Sequence, residues 1–162
     1  MAQTPLEAAV KAAYLYKFLS FVEWPTAGAR TSARATPEEA PLTIGVIGSD
    51  TLLAELQKVI AGRHVHGRPL VARKVTVGES PDGLHALYIG PASVSAGLLS
   101  SLKGRPVLLV TDEPGGLPEG AALNFLLVDG RVRFEASAAN AERASLRLSA
   151  RLLAVAERVV PP

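Results

Sequence analysis

The sequence predicts a single-domain α/β fold: a mostly parallel sheet with helices on both faces, a C-terminal antiparallel β-hairpin and a long final helix. Short apolar runs bounded by glycine or proline alternate with amphipathic segments, which is typical of buried parallel strands joined by helices. The dipeptide Asp129-Gly130 lies between two apolar runs, the strongest short-range signal for a hairpin. The 162 residues contain no internal repeat and no break in composition, so we expect one domain over 1–162.

The first predicted element is a helix that begins at Thr4 and ends before Pro25. The segment Thr4-Pro5-Leu6-Glu7 combines a capping residue, a proline suited to the first turn and a glutamate three positions after the cap. Two apolar stripes at helical spacing predict that protein covers most of this helix: Val10, Tyr14, Phe18 and Phe21, then Leu15, Leu19 and Val22. Residues 26–41 are rich in Ala, Thr, Ser, Gly and Pro without any period, which predicts a mobile surface loop.

The middle of the chain is expected to supply the parallel strands. The apolar runs predict strands at 42–47, 70–77, 86–89 and 106–111. One helix is predicted after the first strand, capped by Asp50 and closed by Gly62, and another before Gly104. The hairpin strands are expected at 123–128 and 131–135, and the final helix at 140–160.

Composition excludes several classes of function. The chain has no cysteine, which rules out disulfide scaffolds, cysteine zinc sites, iron–sulfur clusters and catalytic cysteines. The surplus of 17 Lys+Arg over 15 Asp+Glu is small, and no basic run is interleaved with aromatics, so we expect no nucleic-acid partner. No nucleophile-elbow, zinc-protease or Ser-x-x-Lys motif is present, so we predict no catalytic residues, cofactor or metal. No apolar run reaches the roughly 18 residues of a spanning helix.

Two short motifs carry weak signals. Gly48-Ser49-Asp50 joins a strand to a helix as an anion site would, but a plain turn with an Asp cap explains it better. His64-Val65-His66 would place two imidazoles on one side of a strand, while the only other histidine is His85. We interpret the pair as exposed loop histidines, because a metal site needs further ligands.

The hairpin gives a sharper expectation. With Asp129-Gly130 as a two-residue turn, Asn124 faces Glu135 and Leu126 faces Arg133. Alternation puts Asn124, Arg133 and Glu135 on one face, where Arg133 and Glu135 can pair, and an apolar set on the buried face: Leu123, Phe125, Leu127, Val132 and Phe134. Two interpretations remain open: a satisfied surface pair, or a polar anchor that accepts a partner or a helix end.

Four segments resemble the YfiR family, in the family's order and across nearly the whole chain. The most specific are the opening segment, 10–18 with 21–25, and the hairpin, which runs from Asn124-Phe125 to Gly130-Arg131-Val132-Arg133-Phe134-Glu135. The other two are Gly67-Arg68-Pro69-Leu70 and Leu146-Arg147-Leu148-Ser149 with Leu152-Leu153.

The resemblance implies a non-enzymatic periplasmic regulator with a compact α/β fold. Such proteins repress an inner-membrane diguanylate cyclase by binding its periplasmic sensor region, which lowers cyclic di-GMP synthesis and so affects biofilm formation. An outer-membrane lipoprotein can sequester the repressor, and analogy suggests a homodimer. A removed signal peptide is implied as well, so we interpret Met1-Ala2-Gln3 as a trimmed periplasmic terminus. Relatives carry disulfide cysteines, whereas this chain has none, so redox control is not carried over.

We therefore predict a binding surface, or its support, at five residues: Trp24, Arg68, Asn124, Arg133 and Glu135. Tryptophan and arginine are frequent interface anchors, although plain core packing also explains Trp24 at its helix exit. The alternative function is a small-molecule sensor that binds its ligand at the carboxyl ends of the strands, near Gly48-Ser49 or 112–116.

Overall fold

The computed structural model describes residues 5–25, 41–76, 78–91 and 93–160. The predicted cap at Thr4 and residues 26–40 of the predicted loop lie outside these ranges. The helices are α1 (Pro5–Ser20), α2 (Asp50–Ile60), α3 (Ala96–Leu102), α4 (Ala138–Arg143) and α5 (Ala150–Val155). The strands are β1 (Val22–Glu23), β2 (Leu42–Ile47), β3 (His64–Val65), β4 (Arg68–Lys74), β5 (Ala86–Ile89), β6 (Leu108–Thr111), β7 (Leu123–Val128), β8 (Arg131–Ala136), β9 (Arg147–Leu148) and β10 (Arg158–Val159).

Eight strands form one mixed, mostly parallel sheet in the order β10-β8-β7-β6-β5-β2-β4-β3. Strands β4, β2, β5, β6 and β7 are mutually parallel, and the β7–β8 and β3–β4 pairs are antiparallel. The chain starts the sheet at β2, adds β4 on one side and then β5 on the other, so the strand order reverses between β2 and β5. The predicted α/β fold with a mostly parallel sheet is confirmed.

Helices cover both faces of the sheet, as predicted. On one face α1 and α2 pack together, and their buried residues Leu15, Phe18, Leu52 and Leu56 join one hydrophobic cluster. On the other face Leu102 of α3 packs in a second cluster with strand residues Ile47, Leu87, Ile89 and Leu109. Burial on both faces explains why the central strands read as continuous apolar runs rather than as alternating ones.

The hairpin has the predicted register, but its faces are buried differently from the expectation. Asn124 pairs with Glu135, and Leu126 with Arg133. Leu127, expected in the core, is 60% exposed, whereas Asn124 and Glu135 are fully buried. β7 starts level with the end of β6, so the far half of the hairpin has no β6 strand beside it.

The prediction of one long helix at 140–160 is wrong. Ser145 adopts a left-handed backbone with φ of 64° and follows the end of α4. The chain then forms β9, which pairs with β1 through Val22 and Leu148, and Ser149 caps α5. After α5 the chain forms β10 beside β8.

Smaller boundary errors have related causes. α1 ends at Ser20, not just before Pro25, because the following residues form β1. The cap of α2 is Ser49, whose hydroxyl accepts the Leu52 N–H, and Asp50 lies in the first turn instead. No helix in the described ranges is long and apolar enough to cross a membrane.

Candidate functional site

The five residues predicted for binding do not form one site. Trp24 and Arg68 meet around His85, at the end of the sheet where the parallel strands begin. Asn124 and Glu135 lie together at the opposite end, where β6 stops, and both are fully buried. Arg133 is exposed on the hairpin and contacts neither group.

His85 is the centre of the first group. It directly precedes β5, and its backbone N–H donates to the Thr43 carbonyl at 2.8 Å. Its own carbonyl accepts the Trp24 indole N–H at 2.8 Å and the Leu108 N–H at 2.9 Å. One histidine backbone therefore connects the start of three strand segments to the residues that follow α1.

The side chain of His85 is held in its neutral form. The Thr43 N–H lies 3.1 Å from Nδ1, and Nη2 of Arg68 lies 3.2 Å from Nε2. Both groups are donors and a neutral imidazole has a single acceptor nitrogen, so at any moment the ring accepts a hydrogen bond from Thr43 or from Arg68, but not from both. Burial, together with the positive charge of Arg68, lowers the pKa of His85 to about 4. Burial also lowers the pKa of Arg68.

Trp24 packs against the core and is also partly exposed. The half-buried indole packs against the core and lies edge-on to His66 and His85, with ring centroids 6.4 and 6.3 Å away. A groove beside it, of about 650 Å³, is lined by Glu23, Pro25, Glu142 and Arg147 among others. Part of the indole is therefore accessible at a concave surface.

His66 does not form a paired imidazole site with His64. It lies in the turn after β3 with φ of 53°, and its Nε2 is 2.9 Å from the Val22 carbonyl oxygen. Among the described residues, no group of three or more Asp, Glu or His side chains is placed to hold a metal ion.

Asn124 uses its whole amide to hold the chain that leaves β6. Its Oδ1 accepts the Thr111 hydroxyl and the Glu113 N–H, both at 2.8 Å. Its Nδ2 donates to the Glu113 carbonyl at 3.0 Å and to the Glu135 carboxylate at 2.9 Å. Because Asn124 is fully buried, it supports this loop and offers nothing to a partner surface.

Glu135 is an anchor inside the sheet, so the interpretation as a surface pair with Arg133 is wrong. Its second oxygen accepts Arg158 of β10 at 2.5 Å, and Arg158 is largely exposed. Arg133 instead lies 3.8 Å from Glu157, a loose pair on the surface. The buried carboxylate therefore holds β10 against β8.

A buried ion pair that was not predicted from the sequence lies at the same end of the sheet. Nζ of Lys11 lies 2.5 Å from Asp112 and 2.8 Å from Glu7, and the Tyr88 hydroxyl donates to Asp112 at 2.6 Å. Lys11 is only 2% exposed and lies 5.8 Å from the Phe125 ring centroid. The signal was present: Lys11 falls four residues before Leu15, in a stripe that is otherwise apolar.

Of the two predicted ligand sites at the carboxyl ends of the strands, the one near Gly48-Ser49 is filled by the chain. At the reversal of strand order, a Cβ on Gly90 would lie 2.9 Å from the Gly48 carbonyl, and one on Gly48 would collide with the Ser93 hydroxyl. The loops after β2 and β5 therefore touch each other. Near 112–116, Asp112 is engaged by Lys11 as described, and one buried oxygen of Glu113 has no hydrogen-bond partner among the described residues.

A cavity of about 340 Å³ lies elsewhere, between α3 and α4. Its walls are mostly apolar and include Leu99, Leu102 and Val107, with Lys103 and Arg143 among the polar residues. Its size is within the range of small-molecule sites.

A protein-family model described as YfiR/HmsC-like matches residues 8–157. No curated protein matches the chain.

Proposed function

Because the chain belongs to the YfiR/HmsC-like family, we propose that it binds the periplasmic sensor region of an inner-membrane diguanylate cyclase and represses cyclic di-GMP synthesis. The family is one of periplasmic regulators of cyclic di-GMP signalling rather than of catalysts. The observation that carries the proposal is the extent of the family match, residues 8–157 of 162. It includes Trp24, Arg68, His85, Asn124 and Glu135 and, among the described helices, everything except the first residues of α1.

Repression of this kind requires unequal affinity for two receptor states. A ligand that binds both states equally shifts nothing, and moving a receptor from 1:99 to 99:1 needs a preference of about 10⁴-fold. The repressor must therefore present a surface that fits only the inactive receptor. A rigid surface serves this purpose better than a mobile one, because less ordering entropy is lost on binding.

We assign direct contact to Trp24, Arg68 and Arg133, and a supporting role to Asn124 and Glu135. Trp24 and Arg68 are half-buried, Trp24 donates to the His85 carbonyl and Arg68 contacts the His85 ring, so both side chains have less freedom to lose on binding than fully exposed ones. Tryptophan and arginine are also the residue types that dominate interface energetics. Asn124 and Glu135 act through the loop after β6 and through β10, which they hold in place.

Two further partners follow from the same resemblance. An outer-membrane lipoprotein would relieve repression by sequestering the protein, and a homodimer would present two receptor-binding surfaces. Neither partner can act through a disulfide with this chain, because it contains no cysteine.

The test combines co-purification with a cyclic di-GMP measurement. The tagged protein is exported to the periplasm of its own organism, purified from detergent-solubilised membranes, and cyclic di-GMP is measured in the same cells. We expect an inner-membrane cyclase in the purified fraction and a lower cyclic di-GMP level than in cells without the protein.

Variants connect this result to the assigned surface. Trp24→Ala and Arg68→Ala should lose the cyclase and restore cyclic di-GMP, whereas Arg151→Ala, an exposed arginine on α5, should behave as the wild type. Absence of any cyclase from the purified fraction, with cyclic di-GMP unchanged, would reject the proposal.

The alternative, a small-molecule sensor, is favoured by the cavity between α3 and α4. Apolar walls with cations nearby suit a small amphipathic anion. Thermal unfolding with a panel of aromatic and aliphatic carboxylates tests this function. A rise in Tm that Leu99→Trp abolishes supports it, and no rise with any compound argues against it.

A further inference from the structure

Strand β4 has a neighbouring strand on one side only over its stretch Leu70–Lys74. On the inner side, β2 pairs with the whole stretch, from Leu42 opposite Leu70 to Val46 opposite Lys74. On the outer side, β3 pairs only with Arg68 and Pro69. Within the described parts of the chain, no strand covers the outer side of Leu70–Lys74.

The backbone direction shows which groups face that open side. The Val75 N–H donates inward, to the Val46 carbonyl at 2.9 Å. Backbone groups of successive strand residues point to opposite sides, so those of Ala72 and Lys74 point outward. The Ala72 carbonyl accepts the Gln57 side-chain amide at 3.2 Å, in agreement with this direction. The outward groups of Ala72 and Lys74 thus form an edge that an extended chain can join.

The charge around this edge is strongly one-sided. Residues 56–78 contain five Lys and Arg, two His and no Asp or Glu. The other 139 residues therefore hold 12 of the 17 cations and all 15 carboxylates. Two carboxylates reach the edge from outside this stretch: Glu79 lies 2.5 Å from Arg73, and Asp50 lies 3.3 Å from Lys74. Both pairs are exposed, and such pairs are weak and exchange readily.

The side chains at the edge indicate the chemistry of a partner segment. Arg73 and Lys74 favour carboxylates beside them, and Val71, which is 43% exposed, favours an apolar side chain. A second copy of this chain fits poorly, because it would bring the same surplus of cations to the pairing edge.

We propose that the β4 edge, Leu70–Lys74, binds an extended, carboxylate-bearing segment of a partner protein by strand addition. The Gln57 amide leaves the Ala72 carbonyl when the segment pairs there, and carboxylates of the segment replace Glu79 and Asp50 at Arg73 and Lys74. Backbone pairing and charge are sufficient to bind such a segment, so the proposal does not depend on the receptor named in the proposed function.

Amide hydrogen exchange of the full chain, followed by NMR, tests the edge directly. The probe is a blocked nine-residue peptide of valine and threonine with two adjacent glutamates at its centre, which an extended chain places on opposite faces as Arg73 and Lys74 are, and the matched control replaces glutamate with lysine. We expect the glutamate peptide to slow exchange at Ala72 and Lys74 at least about tenfold, and the lysine peptide to leave it unchanged. Exchange at Val71 and Arg73 should change little, because their amides already face β2.

Variants separate backbone pairing from charge. Ala72→Pro removes one outward N–H, which a sheet tolerates at an edge, and should weaken peptide binding at least about tenfold. The double variant Arg73→Glu/Lys74→Glu should also lose the glutamate peptide. Arg151→Glu, the matched change at an exposed arginine of α5, should bind the peptide as the wild type does. Circular dichroism verifies the fold of each variant.

Several results would overturn the proposal. These are unchanged exchange at Ala72 and Lys74 with about millimolar glutamate peptide, equal binding of the lysine peptide, or a folded Ala72→Pro that binds as tightly as the wild type. Edge protection that grows with protein concentration, without peptide, would assign the edge to a second copy instead. If Ala72→Pro fails to fold, the exchange experiment on the wild type still decides. No cyclase is present in these measurements, so their failure is distinct from failure of the proposed function.

Discussion

Replacing Lys11 by methionine should destabilise the protein severely although the two side chains have similar size. Nζ of Lys11 lies 2.5 Å from the Asp112 carboxylate, and the two side chains are 3% and 11% exposed. Methionine removes the ammonium and leaves a carboxylate charge in this buried position. Breaking a buried ion pair at one partner costs about 3–5 kcal/mol, whereas most globular proteins have only about 5–15 kcal/mol of stability in total.

The double variant Lys11→Met/Asp112→Asn isolates the charge from the packing. Asparagine keeps an acceptor for the Tyr88 hydroxyl, which donates to Asp112 at 2.6 Å in the wild type. Neutralising both members of a buried pair is often close to neutral for stability. We therefore expect the double variant to be more stable than Lys11→Met by about 2 kcal/mol or more.

Urea unfolding, followed by circular dichroism, measures both effects. With a slope of about 2 kcal/mol per molar urea, Lys11→Met should shift the midpoint down by about 1.5–2.5 M. Lys58→Met is the matched control: Lys58 is exposed and pairs with Glu55 at 3.2 Å, so its loss should cost less than about 1 kcal/mol. If Lys11→Met lowers the free energy of unfolding no more than this control, or if the double variant is no more stable than Lys11→Met, the unpaired buried charge is not what destabilises the protein.

Three other predictions concern separate parts of the fold. The pKa of His85 is lowered from 6.5 to about 4 in the folded chain, so on acidification the unfolded chain binds a proton first. The free energy of unfolding should therefore decrease as the pH falls from 6.5 to 4, and this contribution of His85 should be fully present above pH 6.5. NMR titration should find that low pKa, and Arg68→Ala should raise it; a His85 pKa near 6.5 would contradict the prediction. Asn124→Ala leaves buried groups without partners and should cost at least about 2 kcal/mol in urea unfolding, so a loss below about 1 kcal/mol would contradict it. Gly45→Ala should lower Tm through about 1–3 kcal/mol of overpacking, since its Cβ would lie 2.7 Å from Val75, and Val75→Ala should partly restore it.

Local signals in the sequence were sufficient for the bounds of three strands and for the hairpin register. β2, β5 and β7 have their predicted bounds, because each is an apolar run enclosed by turn residues. The Asp129-Gly130 turn determines which residues of β7 and β8 are opposite each other. Such features depend on residues that are close in sequence, so an apolar pattern or a turn dipeptide is enough to predict them.

Pairings between distant residues could not be predicted in the same way. The apolar spacing of 140–160 fits one helix. A strand forms there because Leu148 pairs with Val22, which is far from it in the sequence. Likewise Arg133 and Glu135 share a face, but the partner of Glu135 is Arg158, which β10 brings to it. Trp24 and Arg68 belong to separate segments of the sequence, and only the folded sheet brings both to His85.

Helix α1 and the residues just after it make polar contacts at both ends of the sheet. In its first half Lys11 bonds Asp112 at the carboxyl end of the sheet, and four residues after its last residue Trp24 bonds the His85 carbonyl at the opposite end. Between them Phe18 stacks on the hairpin ring of Phe125, with centroids 5.7 Å apart. Packing alone would tolerate a sliding or rotated helix, whereas two directional contacts at opposite ends permit only one placement. Since the chain has no cysteine to fix this helix covalently, we expect these contacts to determine where Trp24 is presented, and hence the shape of the proposed receptor surface.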